Sequence, residues 1–297
     1  MASNDRRSRP IGIFDSGIGG LTVAKAIAEK LPDESIWYFG DSKRCPYGPR
    51  PLDETRGFVR QICSWLLERD VKLIIIACNT ATAAGLEMAQ RMFDVPILGV
   101  VEPGARAAMR ATRSRRVGVI ATTATVESGA DESAIKRLDA GIKVFSAATP
   151  RFVDIVEESL HSKDSDGSGP LAALARLADD PEHIEIAQGY LSPLKERNID
   201  TLVMGCTHFP FLEPLISQVM GPDVRIISSA TETANDVYET LERRGHLAKS
   251  RSDAFYRFAT TADDLGDFEQ AIKATFENSD FTLEGVGLDE LEALTTK

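Results

Sequence analysis

Of 297 residues, only four are cysteine and four are histidine. No two of them stand at the Cys-x-x-Cys or His-x-x-x-His spacing from which zinc sites are usually built, so no bound metal is expected. No apolar stretch approaches the roughly 18 residues of a transmembrane helix, and no apolar core follows the N-terminal arginines as in a secretory signal. Positive charge is also in short supply. Lys and Arg number 34 against 45 Asp and Glu, a formal net charge of −11. A field of that sign disfavours nucleic acid and anionic membranes as general partners. The one compact basic run, Arg6, Arg7 and Arg9, lies in a polar N-terminal arm and reads as a disordered leader. Cys45, Cys63, Cys78 and Cys206 then read as free thiols in a cytoplasmic chain.

What is present is an ordinary globular mixture, 43% hydrophobic and 27% charged, in a chain long enough for two domains. Strand and helix patterns alternate. Ile11–Phe14 is a short apolar run ending in Asp15; Gly17, Gly19 and Gly20 supply a turn, and Leu21–Leu31 has helical spacing stopped by Pro32. Ile36–Phe39 reads as a strand, Phe58–Leu67 as a helix, Val71–Ala77 as a strand buried on both faces, and Pro96–Val100 as a fourth strand. Such alternation predicts an α/β fold with a largely parallel sheet.

After Glu102-Pro103 the programme restarts, with strands at Val117–Ala121, Ile142–Ser146 and Thr201–Gly205. Ile11–Ser16 aligns with Val117–Thr122, and Leu73–Thr80 aligns with Thr201–His208. The second half is longer by a polar insertion around Ser162–Pro181, read as a surface loop with a short helix at Leu171–Ala178. The expectation is two pseudo-symmetric three-layer α/β domains with mainly parallel sheets and an active site in the cleft between them. Residues 1–102 with 216–297 form the first domain, completed by Val224–Ile227 and the helical Glu232–Arg243. Residues 103–215 form the second. Asp263–Phe276 reads as a last amphipathic helix and Asn278–Lys297 as an acidic tail.

Each half places one cysteine, Cys78 or Cys206, at the C-terminal end of a buried strand, where ligand sites of parallel sheets lie. Inverting an amino acid requires one base and one acid across the α-carbon. Two thiols suit that role, because reversal simply exchanges their tasks. A cysteine pKa of about 8.5 leaves thiol and thiolate both accessible, and a following helix N-terminus or nearby hydrogen bonds can lower it. Asn79 and Thr80 after Cys78, and Thr207 and His208 after Cys206, are polar groups able to hold a carboxylate or ammonium. Asp15 is placed to bind the ammonium or assist Cys78, and His208 to assist Cys206. Neither assistant is duplicated, since Ala121 matches Asp15 and Thr80 matches His208.

Other readings fit less. Cys63 lies on the inward spacing of a helix and reads as core, and Cys45 in its loop reads as structural. His161, His183 and His246 read as surface residues. Gly17-Ile18-Gly19-Gly20 opens a helix after a strand, but the dinucleotide fingerprint would need a glycine at Thr22. A cysteine hydrolase would use Cys206 with His208 and leave Cys78 without a role. A non-enzymatic binding protein leaves both cysteine motifs unexplained.

Four motifs, Asp15–Val23, Pro46-Tyr47-Gly48, Cys78–Thr82 and Gly205–Pro210, together resemble the glutamate racemase family, in order across nearly the whole chain. The resemblance implies an isomerase that interconverts L- and D-glutamate without pyridoxal phosphate, metal or any other cofactor. It implies that Cys78 deprotonates D-glutamate and Cys206 deprotonates L-glutamate. Substrate contacts would come from Asp15, Ser16, Tyr47, Gly48, Asn79, Thr80, Thr207 and His208. Phe152–Glu158 resembles a family segment whose first glutamate supports the second cysteine, which points to Glu157. Members supply D-glutamate for peptidoglycan in the bacterial cytoplasm and are commonly homodimers. Some also inhibit DNA gyrase, a role for which this sequence carries no distinguishing motif. Phe209 stands where tyrosine is more usual, and the insertion and acidic tail are less typical of the family. A neighbouring alternative is a racemase of another acidic amino acid, chiefly aspartate.

Overall fold

The computed structural model describes residues 5–161, 174, 176–250, 254–276 and 279–294. The chain divides into two compact units, Met1–Val100 with Ala230–Lys297, and Val101–Ser229.

In the first unit, β1 (Ile11–Asp15) pairs in parallel with β2 (Ile36–Gly40) on one side and β3 (Leu73–Ile76) on the other. β4 (Ile97–Gly99) follows beyond β3, and β9 (Tyr256–Thr260) and β10 (Phe281–Gly285) extend the sheet beyond β2. All residues of β1, β2 and β3 are buried, which is why these strands read as unbroken apolar runs rather than alternating ones. Phe14, Phe39, Ile74 and Ile76 face a core shared with α2 (Leu52–Leu67), α3 (Asn79–Met92) and α12 (Leu288–Ala293). On the opposite face α1 (Leu21–Lys30) packs with α10 (Ala230–Arg244) and α11 (Leu265–Thr275), and Tyr38 meets Phe268 of α11 at 6.2 Å between ring centres. Each fully buried aliphatic or aromatic side chain in such a layer contributes about 1.5–3 kcal/mol.

The second unit repeats the arrangement. Its sheet runs β6 (Lys143–Ala148), β5 (Arg116–Ala121), β7 (Thr201–Gly205), β8 (Arg225–Ile227), all parallel, the same order as β2-β1-β3-β4. Register repeats as well: Val117 stands opposite Thr201 as Ile11 stands opposite Leu73. α4 (Val101–Ala111) and α6 (Ala130–Leu138) cover one face, with Ala105, Ala134 and Ile135 against Val117, Val119 and Val203. α5 (Thr123–Ser128) leads into α6 through Gly129, whose φ of +65° lies in the left-handed region that favours glycine. α7 (Pro150–His161), α8 (Pro181–Lys195) and α9 (Glu213–Met220) follow in chain order around β7.

The sequence predicts Val224–Ile227 as part of the first domain, yet β8 pairs with β7, so the residues from 216 to 229 belong to the second unit. The acidic tail is not a tail in its described part: β10 and α12 are built from it, and Trp65 Nε1 donates to Glu290 at 2.8 Å. The basic arm is also anchored from Asp5 onward, with Arg9 paired to Asp70 at 2.9 Å and Lys72 Nζ donating to the Arg7 carbonyl at 2.9 Å. His183 and His246 are part-buried rather than surface groups; burial first, then Arg6, Arg244, Lys72 and Arg9, hold the His246 imidazole below its usual pKa. Most of the Leu171–Ala178 helix and of the 162–181 insertion lies outside the described residues. Among the described residues no helix is long and apolar enough to cross a membrane.

Candidate active site

In the first unit, pairing of β1 with β3 brings two strand ends side by side, and the Ala77 amide donates to the Phe14 carbonyl at 2.8 Å. Asp15 ends one strand and Cys78 follows the other. Cys78 is the N-cap of α3, and its sulfur accepts the Ala81 amide at 3.5 Å. A helix N-terminus offers unpaired amides and partial positive charge, which stabilise negative charge placed there. Asn79 and Thr80 form the first turn of α3 and are buried. The Asp15 carboxylate turns into the glycine loop, where Oδ2 accepts the amides of Gly17 at 3.2 Å and Gly20 at 3.1 Å. A Cβ at Gly20 would lie 2.6 Å from Asp15 Cβ and 3.0 Å from Ala77 Cβ, so only glycine permits this packing. Ser16 is buried beside it.

Tyr47 and Gly48 lie in the turn after β2. The phenol is 1% exposed and its hydroxyl donates to Asp41, so its side chain faces inward. Burial first, then the Asp41 carboxylate, hold this phenol well above its usual pKa; Arg44 opposes them, and negative charge on Cys78 adds a smaller upward push. Among the described residues no acceptor takes the main-chain amides of Tyr47 or Gly48. These two amides, rather than the phenol, are what the segment offers to an anion.

The second unit builds its thiol differently. Cys206 was expected to open a helix that offers amides, but a 3-10 turn, Phe209–Leu212, follows it instead. Its sulfur lies 3.7 Å from His208 Nδ1, and His208 Nε2 lies 2.5 Å from Glu157 Oε1. Carboxylate, imidazole and thiol therefore form a line in which the carboxylate orients the ring and the ring faces sulfur. Phe152 of α7 meets Phe209 edge-on at 5.6 Å, seating α7 on the turn and bringing Glu157 to His208. Phe209 is fully buried. Thr207 is buried next to Cys206.

Thus Asp15, Ser16, Tyr47, Gly48, Cys78, Asn79 and Thr80 gather at the C-terminal strand ends of one unit. Glu157, Cys206, Thr207 and His208 gather in the other. Cys63 is fully buried in the core, and burial pushes its thiol pKa far up, as its inward spacing implies. Sequence reading missed Thr122 and Thr125. Ala121 pairs with Gly205, and a Cβ on Gly205 would lie 2.9 Å from the Ile120 carbonyl, so Thr122 follows a strand end pressed against that of Cys206. Thr122 caps α5, and its hydroxyl is 3.0 Å from that of Thr125. The signal was present: Thr122 aligns with Ser16.

The family model "Asp/Glu/Hydantoin racemase" matches residues 21–237. Glutamate racemase from Listeria monocytogenes is 38% identical over 278 residues, 94% of this chain and 98% of its own length. The crystal structure of glutamate racemase isoform RacE1 from Bacillus anthracis superposes with a TM-score of 0.84 at 38% identity, covering 95% of this chain and 98% of that one. Glutamate racemase from Francisella tularensis, solved in complex with D-glutamate, gives a TM-score of 0.82 at 32% identity over 95% and 99% of the two chains. Two parallel sheets of matching topology, each ending in a cysteine, accord with these matches, and the chain belongs to the Asp/Glu/Hydantoin racemase family.

Proposed function

We propose that this amino-acid racemase interconverts L- and D-glutamate, with Cys78 and Cys206 as the two proton donor/acceptors. The observation that carries the mechanism is the repetition of a strand-end cysteine at equivalent positions of two sheets, each beside a different proton-handling device. For glutamate as substrate, the support is the identity to glutamate racemases over nearly the whole chain.

In the proposed reaction one sulfur, as thiolate, takes the α-proton. The other, as thiol, gives its proton to the opposite face, so the α-carbon inverts and the two sulfurs exchange protonation states. Cys78 acts on D-glutamate, favoured as thiolate by the α3 N-terminus; Cys206 acts on L-glutamate, assisted by His208 and Glu157. Asp15 keeps the glycine turn in shape beside the Cys78 strand and binds the substrate ammonium. Ser16, Asn79, Thr80, Thr207 and the amides of Tyr47 and Gly48 hold its carboxylates. No cofactor or metal takes part in this scheme.

Circular dichroism of the purified protein with each enantiomer tests the reading directly. Racemisation of glutamate is expected, and Cys78→Ser or Cys206→Ser should lower it by about 10²–10⁴-fold, the usual contribution of a positioned acid or base. Undiminished racemisation in either variant would sink the two-thiol mechanism. A higher specificity constant for aspartate would move the substrate assignment to the shorter acid. Physiologically, we propose that a cytoplasmic homodimer supplies D-glutamate for peptidoglycan. Growth of a depleted strain rescued by D-glutamate, and sedimentation of the purified protein as a dimer, are the expected results.

A further inference from the structure

The Asp41 carboxylate has no part in the proton transfers, yet it is one of the most thoroughly engaged groups in the first unit. It is fully buried. Oδ2 accepts from Arg44 Nε at 2.7 Å and from the Tyr47 hydroxyl, and Oδ1 accepts from the Thr261 hydroxyl at 2.9 Å. Its own amide donates to the Asp15 carbonyl at 3.0 Å, while the Thr261 amide donates to the Gly40 carbonyl at 3.1 Å. The carboxylate therefore ties the residue after β9 to the turn that runs from Ser42 to Gly48, while the Asp41 main chain joins that turn to the end of β1.

The rest of the turn is built around that anchor. Arg44 lies over the Phe58 ring at 4.0 Å and donates from Nη1 to Gln61 at 2.5 Å; the Tyr47 ring packs on Phe58 at 5.3 Å. Arg50 Nε donates to the Arg44 carbonyl at 2.9 Å, and the Arg50 amide donates to the Tyr47 carbonyl at 3.0 Å. Together these contacts hold the side chains of Arg44 and Tyr47, which flank Cys45-Pro46, and the Tyr47 carbonyl. The turn leaves one polar atom of its own unsatisfied, since Arg44 Nη2 is buried with no hydrogen-bond acceptor among the described residues. What the turn gains is a rigid presentation of the Tyr47 and Gly48 amides, which no described residue uses.

We propose that Asp41 is a positioning residue for substrate binding: by gripping Tyr47, Arg44 and Thr261 together it holds the Tyr47 and Gly48 amides where a substrate carboxylate meets them. The inference rests on the reading of Tyr47 and Gly48 as substrate contacts in a glutamate racemase. It assigns Asp41 to ground-state binding and not to either proton transfer, so its loss acts on KM and spares kcat.

The test is steady-state kinetics in both directions on Asp41→Asn, Asp41→Ala and Tyr47→Phe, with hydrogen exchange at the Arg50 amide, which donates to the Tyr47 carbonyl. Tyr47→Phe keeps the ring packed on Phe58 and guards against a misfolded Asp41→Ala. KM should rise about tenfold in Asp41→Ala, the effect of one well-made hydrogen bond, and about threefold in Tyr47→Phe. Asp41→Asn should fall between them, because its amide oxygen still accepts from Tyr47. In all three, kcat should stay within about twofold and the Arg50 amide should exchange faster, as a loosened turn requires. An unchanged KM in Tyr47→Phe and Asp41→Asn, with or without faster exchange, overturns the assignment, as does a fall in kcat at constant KM. Wild-type protein that does not racemise glutamate would instead overturn the functional reading, which separates the two failures.

Discussion

At the scale of single residues, two sulfurs of equal chemistry are prepared by unlike means. Cys78 accepts a main-chain amide at the start of a helix, and Cys206 faces an imidazole backed by a carboxylate. The His208–Glu157 contact orients a ring that otherwise rotates, so its loss should be felt in the reaction rather than in stability. Glu157→Gln is expected to lower kcat/KM by roughly tenfold or more, the scale of a hydrogen bond to a charged group, while the melting temperature moves little. Stopped-time circular dichroism reads the first quantity and calorimetry the second. Both cysteines were legible in the sequence because core packing gives no reason for a polar pair after each. The Ala81 amide and the Asp41 network were not. A backbone donor carries no residue signature, and Asp41 is brought to Thr261 across a sequence separation of 220 residues.

Among elements, strands were easiest to read where both faces are covered. β1, β2, β3 and β7 have no exposed residue and appear as apolar runs. β10 was missed because it is an edge strand of part-buried and exposed residues, and its neighbour β9 is fully buried only over its last three residues. The lower ends of these strands hold a buried ion pair. Lys72, 3% exposed, and Glu34, 1% exposed, contact each other; Lys72 also donates to the carbonyls of Arg7 and His246, and Glu34 accepts the Ala248 amide at 2.9 Å. Burial dominates both groups, raising the Glu34 pKa and lowering that of Lys72, so the charged pair gains little net stability over a neutral one. Lys72→Met alone should destabilise by about 3–5 kcal/mol, since it strands a buried carboxylate, and Glu34→Leu added to it should recover most of that loss. Urea titration of the single and double variants measures both. A double variant no more stable than Lys72→Met would show that the pair itself, and not the orphaned charge, carries the energy.

For the molecule as a whole, the duplication read from aligned hydrophobic runs is met in strand order and in register. The point where the chain leaves the second sheet was misplaced, because β8 is only three residues long and its burial falls to one position. Global stability in acid should depend on Asp200, where the second sheet begins β7. Desolvation pulls this carboxyl up, but hydrogen bonds from the Thr112 hydroxyl and the Ser114 and Arg113 amides outweigh it and hold its pKa far below the usual range. A depressed folded pKa gives stability that is full above the unfolded value near 3.9 and is lost as pH falls toward the folded one. Asp200→Asn should therefore lower the melting temperature at pH 7, by the equivalent of about 1 kcal/mol, with the gap to wild type closing below about pH 4. A gap that persists in acid would assign the effect to lost geometry instead. The unlike surroundings of the two sulfurs have one more consequence, imposed by thermodynamics. Enantiomers have equal free energy, so the Haldane relation forces kcat/KM to be the same in both directions at every pH and in every variant. Weakening the imidazole beside Cys206 must slow the capture of D-glutamate as much as that of L-glutamate, and whatever the asymmetry contributes can surface only in how kcat and KM divide that common ratio.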